Sequence, residues 1–210
     1  MLATVSLSNA HATELSSGTD HLSLGSHTRY FEDPDKSAGL EQVRVWERES
    51  RFVQSEVSVP AFGFSQSAWW FTVDLNFQSK EAQEYLLEIA YPMLDDVDVY
   101  VLRDDRVAHH WRVGDSQEFR ERPVQYRNFV LPIQFLPDDE IRIFIRVQTS
   151  GSVQLPLELW SKPGFRAESL ATTFREGAYF GLMFVMLLYN LCLWFWTGQK
   201  SYAYYSGYVL

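Results

Sequence analysis

Side chains fit for chemistry are sparse in this sequence and form three sets. Asp95, Asp96 and Asp98 cluster, but on a strand Asp96 and Asp98 share the face opposite Val97, which is the pattern of a solvated outer row and not of an acid/base pair. His109 and His110 are adjacent, so strand geometry sends them to opposite faces and denies them a shared metal ion. His109 keeps the phase of Val107, Trp111 and Val113 and reads as half-buried. A calcium ion at an Asp-rich turn is the one further metal reading, and the spacing does not favour it. No GxSxG, HExxH, Walker or Rossmann fingerprint occurs, so the expectation is a non-enzyme with no cofactor and no metal site.

The third set suits binding. Trp70 falls on the polar face of its strand, Trp111 sits in the stretch VAHHWRV, and Arg122, Arg127 and Asn128 lie on the polar segment that follows. Aromatic faces stack on sugar rings and guanidinium groups fork to carboxylates or hydroxyls, so Trp70, Trp111, Arg122, Arg127 and Asn128 are the candidate ligand residues. The same residues equally suit tryptophans closing the ends of a sandwich and arginines paired with the chain's many carboxylates.

The elements that must carry them alternate every second residue. Trp69, Phe71, Val73, Leu75 and Phe77 share one face of the clearest strand, and Trp70, Thr72, Asp74 and Asn76 the other. The same beat recurs in Tyr85, Leu87 and Ile89; in Val97, Val99 and Val101; in Phe129, Leu131, Ile133 and Phe135; in Ile141, Ile143, Ile145 and Val147; and in Val153, Leu155, Leu157 and Leu159. Turn signals separate these runs, and residues 40–52 read equally as helix or strand. Pro132 and Pro156 mark edges or bulges. The expected fold is mainly β, an antiparallel β-sandwich of jelly-roll or related Greek-key type, each strand burying one face.

Residues 177–196 carry no ionisable group apart from tyrosine and cysteine and are long enough to span a bilayer as one helix, with Tyr179, Trp194 and Trp196 near its ends. Asn190, the one amide of this run, is expected to bond another helix. A second apolar segment begins at Tyr202. The organisation reads as a leader (1–27), a sandwich domain (28–162), a helical connector (163–176), a first transmembrane helix (177–196) and the start of a second (202–210). The chain thus looks like the front of a longer membrane protein. Met1 opens a short apolar piece, and Ala10-His11-Ala12 has a small-x-small pattern; this is either the end of an export signal or part of a disordered leader.

A net charge of -9 over 210 residues argues against nucleic acid as a partner. The one cysteine, Cys192, lies in the proposed span, so no internal disulfide forms.

Strings along the chain, YFEDPDKSAGLEQV, FSQSAWWFTVDLNF, YPMLDDVDVYV, VGDSQEFRERPVQYRNFVLPI and TSGSVQLPLELW, resemble the type 2 extracellular sensor domain of bacterial seven-transmembrane receptors with diverse intracellular signalling modules (7TMR-DISM). The stretch YFGLMFVMLLYNLCLWFWTGQKSYAYYSGYVL resembles the start of that family's seven-helix region. The resemblance implies a periplasmic jelly roll similar to carbohydrate-binding modules, held at the bacterial inner membrane, sensing a small molecule such as a saccharide. It also implies an output domain such as a diguanylate cyclase or histidine kinase. Trp70, Arg122, Arg127 and Asn128 carry over as pocket residues; where the family has an arginine two residues after the aromatic pair, this chain has Thr72. The alternative partners are a second copy or another periplasmic protein, met by a non-sensing interaction domain.

Overall fold

The structure, a computed structural model, describes residues 12–209; the export-signal reading of the first residues lies outside the described residues. The chain divides into two compact units, residues 1–162 and 163–210.

Among the described residues, thirteen strands and one α-helix build the first unit, with two short 3-10 turns at Gly25–His27 and Phe119–Glu121: β1 (Thr13–Ser16), β2 (His21–Ser23), β3 (Arg29–Asp33), α1 (Leu40–Arg48), β4 (Val53–Gln54), β5 (Ala61–Phe64), β6 (Ala68–Gln78), β7 (Gln83–Ile89), β8 (Asp96–Arg103), β9 (Arg106–Val113), β10 (Phe129–Phe135), β11 (Asp139–Gln148), β12 (Ser152–Gln154) and β13 (Leu157–Ser161). The larger sheet runs β4-β3-β6-β11-β8-β9, with β1 added parallel to β6; the smaller runs β10-β7-β13-β2; β5 and β12 pair separately. Successive strands pass from one sheet to the other, β6 to β7 to β8 and β10 to β11 to β13, which is the jelly-roll habit.

The alternation explains the layers. Phe71, Val73 and Leu75 of β6, Val97 and Val99 of β8 and Ile143 and Ile145 of β11 meet Leu87 of β7, Leu131 of β10 and Leu159 of β13 in one core between the sheets. The run expected as one strand from Val153 to Leu159 is broken at Leu155-Pro156, where Pro156 donates no hydrogen bond and its carbonyl accepts the Ala90 N–H.

Residues 40–52, ambiguous by pattern, form helix α1 (Leu40–Arg48) and the turn that leads to β4. The helix lies on the outer face of the larger sheet, where Val43 and Ala38 close over Trp70, Leu102 and Phe144 in a second core. Two arginines and two carboxylates fix it there. Arg29 donates to Glu47 at 2.7 Å and to Asp74 at 2.6 Å, while Arg142 donates to Glu47 at 3.1 Å and also to Asp74. Each carboxylate thus serves both guanidinium groups. Burial works to lower the Arg142 pKa, and Asp74, then Glu47, outweigh it and hold it raised.

In the second unit, α2 (Lys162–Thr197) and α3 (Lys200–Val209) are separated by Gly198 and Gln199, with Gly198 in the left-handed region (φ 68°). The expected connector is simply the first part of α2, and α3 starts two residues earlier than the sequence pattern implied. By length and composition α2 can cross a membrane, and none of its apolar window is buried in the described residues. The Asn190 amide donates to the Met186 carbonyl of its own helix at 2.8 Å, so the expected bond to another helix is not made among the described residues.

Candidate functional site

The antiparallel sandwich has two ends. Strand β13 leaves by one of them, which it shares with the connections β6–β7, β8–β9 and β10–β11; at the other end lie the loops 90–95, 114–128 and 149–151 and the segment 65–67 leading into β6.

The predicted ligand residues do not converge. Trp70 is fully buried beneath α1, so the polar face of β6 is not an open surface, and its indole cannot meet a ligand there. Thr72 beside it is 1% exposed, so the departure from the family arginine falls inside this second core and not in a pocket. Trp111 packs half-buried against the main core, its ring stacked on His109 with centroids 5.2 Å apart. His109 itself is exposed, not half-buried, because β9 overhangs the narrower facing sheet.

Arg122, Arg127 and Asn128 do share the loop 114–128. Arg122 donates to the carbonyls of Tyr126 and Arg127, both at 3.1 Å, and its guanidinium lies over the rings of Phe119 and Phe129 at 5.0 and 4.7 Å. It therefore organises the loop. Arg127 is exposed, 5.6 Å over the Tyr126 ring. Asn128 donates to Glu88 at 2.6 Å, and Glu88 also accepts the Trp160 indole N–H at 2.8 Å. Asp96 and Asp98, expected as a solvated row, are half-buried and paired with Arg112 at 3.2 Å and with His110 at 3.0 Å.

A cleft of about 350 Å³ opens at the loop end, lined by Lys36, Gln66, Asp95, Asp96, Gln148 and Ser150 among others. Asp33 positions Lys36: its carboxylate accepts the Ala38 N–H at 3.1 Å and turns the chain through Lys36 in the left-handed region. Asp95 is spent on structure, accepting the Ser150 N–H at 2.6 Å and the Ser150 hydroxyl at 2.8 Å. Those bonds, the backbone one first, hold its carboxyl below the ordinary range. Gly114 lets the loop after β9 close on the same residue's backbone, since a Cβ there would stand 2.1 Å from the Asp95 carbonyl oxygen. Gln148 accepts from Arg146 at 2.8 Å. The Lys36 ammonium and Gln66 amide have no hydrogen bond or ion pair with a described residue.

Beside the cleft stands Phe64, 84% exposed, which precedes the lining residue Ser65 and pairs with Ser152. Strand β5 is bulged against β12, and Gly63 sits there at φ 68°. The bulge breaks the two-residue beat, so Phe62 stacks inward on Trp69 at 3.8 Å while Phe64 turns to solvent. Sequence reasoning missed Lys36, Phe64 and Gln66; the glycine inside AFGF was the signal for the bulge. Among the described residues no group of three or more His, Cys, Asp or Glu is placed to hold a metal ion.

Comparison with known proteins supplies the family. The family described as 7TMR-DISM extracellular 2 matches residues 25–161, and that described as 7TM diverse intracellular signalling matches residues 172–210. No curated protein matches the chain. Among solved structures, a Bacillus thuringiensis Cry1Da tryptic core variant is similar at 12% identity and TM-score 0.35 over 71% of this chain, which spans 24% of that one. TmCBM61 in complex with beta-1,4-galactotriose is similar at 9% identity and TM-score 0.35, covering 69% of this chain and 99% of that one. CsCBM6-3 from Clostridium stercorarium in complex with cellobiose is similar at 16% identity and TM-score 0.28, covering 50% and 82%. An extracellular-domain match over the sandwich, followed by a helix apt to span a membrane, describes a membrane protein with its N-terminal domain outside. The chain belongs to the 7TMR-DISM family, as its type 2 extracellular domain followed by the beginning of the seven-helix signalling region.

Proposed function

We propose that this chain is the input portion of a signalling receptor in the bacterial inner membrane, its sandwich lying in the periplasm and binding a small polyhydroxylated ligand such as a saccharide. The cleft at the loop end carries this reading. It holds an unbonded cation, Lys36, and an unbonded amide, Gln66, and the exposed Phe64 directly precedes its lining residue Ser65; such a set can bond hydroxyls and stack on a sugar face. The input portion is not itself an enzyme in this reading; the output domain is a separate module such as a diguanylate cyclase or histidine kinase.

A ligand acts only through a difference in affinity between two states of the receptor. The absence of a linker between β13 and α2, where Lys162 follows Ser161 directly, supports transmission of such a difference along the chain. The test is a thermal-shift screen of the full chain in detergent micelles against sugars and cell-wall fragments. A stabilising compound is expected, and Lys36→Ala with Gln66→Ala should remove its effect. No shift from any compound would favour a protein partner instead. A phosphatase reporter fused at Pro163 should be active if the sandwich is periplasmic and silent if it is not.

A further inference from the structure

Sheet edges display unpaired N–H and C=O groups, and folds protect them by keeping edge strands short or by placing proline in them. This domain does so at most of its edges. Strand β4 has two residues, β2 three and β1 four, and the seven-residue β10 carries Pro132. Strand β9 is the exception, with eight residues ending the larger sheet and nothing among the described residues paired to its outer side. From Arg106 to Arg112 each residue is exposed except the half-buried Trp111. Val107, paired with Leu102 on the outer face of the sheet, is 46% exposed. One bulge, opposite Val101 and Leu102, interrupts the strand at Ala108 and leaves the stretch from His109 onward in register.

Charge selects what fits this edge. In a chain of net charge -9, β9 carries Arg106, Arg112, His109 and His110 and no acid. On its paired side β8 already displays the complement, with Asp98 bonded to His110 at 3.0 Å and Asp96 to Arg112 at 3.2 Å, each acid alternating with valine. A second copy's β9 would bring like charge against like charge. We infer that the free edge of β9 is a docking site for an extended acidic segment of another protein, which adds to the larger sheet as a further strand and sets its carboxylates beside His110 and Arg112.

The inference is independent of the ligand cleft. Its probe is a fluorescent peptide copying β8, Asp-Val-Asp-Val-Tyr-Val, titrated against the full chain in nanodiscs, with Asn-Val-Asn-Val-Tyr-Val as control. Saturable binding is expected, with backbone amide shifts confined to residues 109–113, at least about tenfold weaker for the control and weaker again as salt rises. Arg112→Glu should reduce binding of the acidic peptide about tenfold or more while leaving the unfolding temperature unchanged, since Arg112 is exposed. Equal binding of both peptides, or binding of neither, overturns the proposal. So does a dimer of the full chain that Arg112→Glu dissolves, because the edge would then belong to a second copy.

Discussion

The two ends of the sandwich are built in opposite ways. Where β13 leaves, the connections are short: residues 79–82, Asp104-Asp105 and 136–138. Asp104, Asp105 and Asp138 all adopt positive φ, as tight turns require. Here Arg103 forks onto Asp139 at 2.7 to 3.0 Å, while Asp139 also accepts the Leu136 N–H at 3.1 Å. At the other end Phe64 and Met93 are exposed at 84% and 66%, and the Lys36 ammonium and Gln66 amide have no hydrogen bond or ion pair with a described residue. Tight turns mark the end from which the chain continues into α2, and the longest loop, 114–128, lies at the other.

The sharpest way to break this comparison is Asp139→Ala, which removes the carboxylate that Arg103 forks onto and leaves its guanidinium the Gln134 carbonyl at 2.8 Å. A loss of about 1.5 to 3 kcal/mol is expected in denaturant unfolding, and a loss no larger than that of a loop-end surface change would refute the contrast. Next, Arg122→Ala should cost about 1 to 2 kcal/mol and speed amide exchange through residues 114–128 while the strands stay protected. Exchange rising equally in β6 and β11 would show that the loop is not an independent unit.

Phe64→Ala should change stability by no more than about 0.5 kcal/mol yet abolish the stabilisation by any sugar found in the screen. Unaltered stabilisation would remove the ring from the site. The smallest effect concerns acid. The Asp95 carboxyl is depressed in the folded state, first by the Ser150 N–H, so that bond contributes fully above the unfolded value of about 3.9 and is lost as pH falls through the lower folded value. The Ser150 amide resonance should therefore titrate with a midpoint under about 3.9; a midpoint above it contradicts the hydrogen-bonded geometry.

Much of the scaffold was legible from residue order. The assignment of Trp69, Phe71 and Val73 to one face of β6 and Trp70, Thr72 and Asp74 to the other holds, as does the family resemblance. The site was not legible in the same way. Trp70 drew attention as an aromatic on a polar face, but helix α1, whose own pattern was ambiguous, covers that face. Phe64 drew none, because a bulge at Gly63 and not its place in the alternation turns it outward.

By itself the sequence determined the strands β6, β7, β8, β10 and β11, the core face of each and the apolar helix, because two-residue alternation and an unbroken apolar run are local properties that burial converts directly into structure. Only the tertiary structure decided which outer faces stay open. Periodicity states on which side of its strand a residue lies; what covers that side depends on pairings as distant as Arg29 with Asp74 and Asp95 with Ser150.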